Sequence, residues 1–112
     1  MVEHLSYEDG QSTIDREGVE QHVLLHTYNV MMVHYLIQPG YESSYHNHPH
    51  EQLGYVLGGE ATQIVDGEEY TLSAGTCYRL DPGEKHAMQV TGDEPFEVLD
   101  IFHPVREDYL PE

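Results

Sequence analysis

Short apolar runs, each broken by a turn signal, constrain this chain more than any other feature, because no sustained helical face can be drawn through them. Residues 23–25, 30–33, 35–37, 53–57, 61–65, 70–72, 77–80, 87–90 and 96–102 read as strands. Pro39-Gly40, Gly58-Gly59, Ala74-Gly75, Pro82-Gly83 and Gly92-Asp93 punctuate them. Asp66-Gly67 predicts a type I′ hairpin, since both central residues of that turn need positive φ and Asp-Gly accepts it at little cost. The expected class is all-β, a barrel or sandwich. A length of 112 residues suits one domain with a modest core. Residues 1–18 are expected to form an acidic, loosely held N-terminal segment and residues 19–112 a single barrel domain.

Charge narrows the partners. Asp and Glu number 21 against four Lys and Arg, the lone lysine being Lys85, for a formal charge of −17. Such a surface repels nucleic acid and anionic membranes alike. It resembles proteins of organisms with a multimolar-salt cytoplasm, where screening removes self-repulsion, so a halophilic, salt-dependent protein is expected. The single cysteine, Cys77, forbids an internal disulfide and reads as a buried reduced thiol. No signal-like segment opens the sequence, and no apolar run approaches the roughly 20 residues of a membrane span, so a cytoplasmic location is expected.

The densest chemistry lies in the run from Gly40 to Gln52, which holds His46, His48, His50, Glu51 and Gln52. In an extended chain residues i and i+2 share a face, so His46 and His48 can bind one cation, while a bend at Pro49 brings Gln52, or alternatively Glu51, toward it. His50 is a candidate neighbour of the same site. A third imidazole, His86, closes the run that begins at Gly75. Three imidazoles and one oxygen donor leave positions open for water or substrate, as a catalytic metal site requires. His4, His22, His26, His34 and His103 read as ordinary surface or half-buried strand residues.

The two runs resemble the paired motifs of the cupin family. Gly40, His46, His48, Gln52 and Gly59 fall on the first motif, with Gln in place of the usual Glu. Gly75, Gly83 and His86 fall on the second, with Asp81 where Pro is usual and Val90 where the pattern ends in Asn. The resemblance implies a jelly-roll-like double-stranded β-barrel with one divalent metal held by His46, His48, Gln52 and His86. His and amide ligands suit Zn, Ni, Fe, Mn or Co, and do not choose among them. Related cupins commonly pair through sheet edges, so a homodimer is expected.

A second constellation lies near the C-terminus. Phe96, Val98, Asp100 and Phe102 share one face of a strand, which sets an acid among apolar neighbours, where it is costly unless paired or functional. Pairing with Arg106 would make it structural. The chain from about Tyr28 to Leu110 resembles the small cupins of pectin and alginate degradation that convert 4,5-unsaturated monouronates to linear keto sugars. That resemblance implies functional roles for Asp100, Phe102 and Arg106, with Asp100 moving a proton, Arg106 gripping the uronate carboxylate and Phe102 shaping the wall. It implies an enzyme acting on a small sugar acid by metal-dependent, non-redox ring opening. A cupin dioxygenase and a non-catalytic sugar-binding cupin are the alternatives.

Overall fold

The computed structural model describes residues 1–12 and 16–110. Among them run eight strands: β1 (Val19–His26), β2 (Met31–Ile37), β3 (Glu51–Gly58), β4 (Glu60–Val65), β5 (Glu68–Ser73), β6 (Cys77–Leu80), β7 (His86–Val90) and β8 (Phe96–His103). They form two antiparallel sheets, one of five strands in the order β1-β2-β8-β3-β6 and one of three in the order β5-β4-β7. The two sheets give the expected jelly-roll-like double-stranded barrel. Asp66 at φ 49° and Gly67 at φ 84° turn the β4–β5 hairpin, as the Asp-Gly signal requires. Gly59 at φ 80° passes so close to Pro95 and Phe96 that no Cβ fits there.

Period-two alternation decides which side chains face inward. On β8 Phe96, Val98, Asp100 and Phe102 are buried while the residues between them are partly exposed. The core joins Met31, Val33, Ile37, Val56, Phe96 and Val98 of the larger sheet to Ala61, Leu72 and Val90 of the smaller. One transverse row of the larger sheet matters most for the site. Tyr78 on β6 pairs with Gly54 on β3, Gly54 pairs with Asp100 on β8, and Asp100 pairs with Val33 on β2. Gly54 has no side chain, and a Cβ there would run into the Tyr78 ring. The glycine is the berth on which that ring lies.

One expectation is corrected. Cys77 is exposed, not buried. Because Tyr78 turns inward over Gly54, its neighbour on β6 must face the outside of the sheet.

The terminal segments pack on the barrel. Residues Tyr7–Asp9 form a short 3-10 helix whose Tyr7 ring stands 4.7 Å from His34 and 5.5 Å from His22, and Gln11 bridges to Val23. At the other end Glu107–Tyr109 forms a second such turn, with the Tyr109 ring edge-on to Phe102 at 5.9 Å. Of the expected segments 1–18 and 19–112, residues 13–15 and 111–112 lie outside the described residues. No described helix is long and apolar enough to cross a membrane.

Candidate metal and proton-transfer site

Backbone pairing brings the two histidine runs together. His46 N–H donates to the His86 carbonyl at 3.0 Å, His86 N–H returns the bond to His46 at 2.8 Å, and Gly83 N–H donates to the His48 carbonyl at 2.8 Å. The imidazole centroids stand 4.5 Å apart for His46 and His86, 5.0 Å for His48 and His86, and 6.3 Å for His46 and His48. Two rings are oriented by a carbonyl two residues back. His46 Nδ1–H donates to Ser44 O at 2.7 Å and His86 Nδ1–H to Glu84 O at 2.9 Å, so each keeps a lone pair on Nε2. His48 Nε2–H donates to Gln52 Oε1 at 3.1 Å.

These residues fit a divalent cation. Burial lowers the pKa of His86 and pushes His48 down to about 4, with the nearby Arg106 charge adding to both shifts, so the rings stay neutral as ligands must be. The Nδ1 atoms of His48 and His50 are buried with no hydrogen-bond partner among the described residues. No group of three described His, Cys, Asp or Glu side chains already stands converged on one point, and His48 and Gln52 spend their donor atoms on each other. Binding a cation would exchange that hydrogen bond for coordination. Glu51, the alternative oxygen ligand, is exposed on the opposite face of β3, whereas Gln52 is buried inward. His50 packs 5.4 Å from His48 and 6.4 Å from Phe102, ring to ring.

The carboxyl of Asp100 lies in the same cavity. Burial raises its pKa from 3.8 to about 6, against the opposing pull of hydrogen bonds from Tyr78 and Gln52 and of the Arg106 charge. Tyr78 Oη donates to Asp100 Oδ1 at 2.5 Å. Gln52 therefore has two ends with two duties. Its oxygen meets His48 while its amide N–H donors serve Asp100 and Tyr78. A glutamate at this position would set a second carboxylate against Asp100 and donate nothing to it. The departure from the usual cupin Glu thus has a local physical reason.

The remaining wall is aromatic and cationic. Phe102 is buried and meets His48 edge-on at 5.8 Å. The Arg106 guanidinium lies 4.2 Å from the Tyr109 centroid and 5.2 Å from that of Phe102. It does not pair with Asp100. Arg106 donates instead to Asp108, from Nε at 3.0 Å and from Nη2 at 2.8 Å. Arg16, Tyr35, Tyr41, Gln63 and Met88 also line the cavity, whose volume is about 130 Å³. That is small against the roughly 300–1,000 Å³ of drug-sized sites. Sequence reading missed Tyr78, Gly54, Asp108 and Arg16. Only the glycine inside the β3 run carried a signal, because a strand glycine often marks close approach of another group.

Residues 33–102 match the Cupin domain family. Among curated proteins, an H2HPP isomerase of Bacillus subtilis is 31% identical over 67 residues, 60% of this chain and 28% of that protein. An L-ectoine synthase of Aliivibrio fischeri is 30% identical over 64 residues, 56% of this chain and 50% of that protein. The chain thus spans half or less of the length of these relatives. Among solved structures, an RmlC-like cupin from Shewanella frigidimarina superposes with a TM-score of 0.82 at 30% identity, covering 96% of both chains. KdgF from Halomonas sp. superposes with a TM-score of 0.81 at 25% identity, covering 90% of this chain and 94% of that one.

Proposed function

The chain belongs to the Cupin domain family, and from that premise we propose that it is an enzyme opening the ring of 4,5-unsaturated monouronates to linear keto sugars. The observation that carries this reading is Asp100, a buried carboxyl raised to about 6 in a cavity it shares with His46, His48 and His86. A group titrating near neutrality can both accept and return a proton, as the reaction demands. The resemblance of residues 28–110 to the uronate-opening cupins of pectin and alginate degradation supports the substrate class, and KdgF from Halomonas sp. is similar over 90% of this chain.

The substrate is a cyclic enol ether with a hemiacetal at its first carbon. Asp100 takes the proton of the hemiacetal hydroxyl, its carboxyl held by hydrogen bonds from Tyr78 and Gln52. The bond between that carbon and the ring oxygen breaks, its electron pair leaving with the ring oxygen, which gives an aldehyde and an enolate. Asp100 returns the proton to the fourth carbon and the enolate becomes a ketone. One proton moves and no oxidant or reductant is consumed. A divalent ion on His46, His48, Gln52 and His86 would supply Lewis-acid polarisation of the sugar oxygens. Phe102 closes the apolar side and Arg106 offers its remaining N–H donors to the sugar acid.

The test is metal analysis of the purified protein in high salt, followed by incubation with unsaturated galacturonate and mannuronate while the enol-ether absorbance is followed. Loss of absorbance without oxygen uptake is expected, with His48→Ala losing both metal and activity. Oxygen uptake would favour a dioxygenase instead. Tight binding without turnover would favour a sugar-binding cupin.

A further inference from the structure

The chain carries three arginines and one lysine against 21 acids, and two of the three arginines, Arg16 and Arg106, line the cavity that holds Asp100 and the histidines. Both also border a second, polar pocket that shares His46 and Tyr109 with that cavity and adds Ser44 and the carboxylate of Asp108. The third, Arg79, lies outside the cavity and pairs with Asp81. In a chain this acidic, two guanidinium groups against the one carboxylate of Asp108 leave a local excess of positive charge at this opening.

The two arginines differ in what they have left to give. Arg106 commits Nε and Nη2 to Asp108, so its fork is filled and much of its charge compensated. Arg16 is exposed and donates from Nη1 to the Tyr41 hydroxyl at 3.0 Å, a neutral acceptor, and no described carboxylate forms an ion pair with it. Its Nε and Nη2 edge is unused in that bond, and this edge matches a carboxylate bidentately. We infer that Arg16, reaching in from the N-terminal segment, is the residue that captures the ligand's carboxylate at the cavity mouth, while Arg106 contributes from the wall as a stacked, Asp108-compensated donor. The inference rests on the proposed function only in naming the carboxylate as that of a uronate.

The test pairs a variant with a ligand change. Wild-type protein, Arg16→Gln and Arg16→Lys are assayed with unsaturated galacturonate and with its methyl ester, which lacks the charge. For the acid, Arg16→Gln should raise KM about tenfold with kcat changed less than about threefold, the range expected when a charged hydrogen bond is lost. Arg16→Lys should fall between, keeping charge without the fork. For the ester the three proteins should have similar KM, since the interaction is lost from the ligand side. Unchanged KM for the acid in Arg16→Gln, or an equal ester penalty in wild type and variant, overturns the assignment. If wild-type protein opens no unsaturated uronate, the proposed function falls separately. The assignment is then read from calorimetric titration with galacturonate and its methyl ester. Acid binding about tenfold weaker in Arg16→Gln upholds it, and equal binding overturns it.

Discussion

A carboxyl buried beneath a tyrosine hydroxyl costs the fold stability wherever it must ionise. Asp100 keeps its proton to about pH 6 in the folded protein, against 3.8 as its ordinary value. Over pH 4–6 the folded state therefore binds more protons at this group than the unfolded chain, and the group's contribution to stability falls as pH rises, levelling above the folded pKa. The full loss is on the order of 3 kcal/mol. His48 works in the opposite sense across much of the same window, since its pKa is lowered to about 4 and the unfolded chain takes up that proton first as pH falls. Comparing wild type with Asp100→Asn cancels the histidine. The variant should gain stability relative to wild type between pH 4 and pH 7, measured by urea denaturation at each pH, while turnover drops about 10²–10⁴-fold and metal content holds. Full activity with an earlier melt would make the carboxylate structural.

At the scale of strands, the site depends on a glycine. Tyr78 reaches Asp100 only because Gly54 leaves the space between β6 and β8 open across β3. Gly54→Ala should lower stability by about 1–3 kcal/mol, as overpacking does, and should also lower turnover by displacing the hydroxyl from Asp100. Tyr78→Phe removes the hydroxyl without the clash, so it should lower turnover while keeping the ring on its berth. Urea midpoints and initial rates for the two variants separate the effects. A Gly54→Ala protein of unchanged stability and rate would refute the packing account.

Across the whole molecule, the excess of acidic residues bears on stability. With a formal charge of −17, the compact state suffers repulsion that dilute buffer screens poorly. The melting temperature should climb steeply between dilute buffer and molar KCl, followed by calorimetry at constant pH. A flat profile would mark an ordinary acidic protein. The attraction proposed for Arg16 is screened by salt, so the KM advantage of wild type over Arg16→Gln for a sugar acid should shrink as ionic strength rises.

The sequence by itself determined the strands, the Asp66-Gly67 hairpin, the inward set on β8 and the two histidine runs, because each is written in local periodicity, turn chemistry or fixed offsets. Strand pairing decided the rest. Tyr78 and Asp100 lie on strands that are not neighbours, and meet because both flank β3 at Gly54. The inward turn of Tyr78 also sends Cys77 outward, which a lone cysteine in an apolar run did not announce. The family resemblance pointed Arg106 to the site but not to Asp108 as its partner, and nothing local joined Arg16 to the same opening. Such relations belong to register and chain return, and only the tertiary structure holds them.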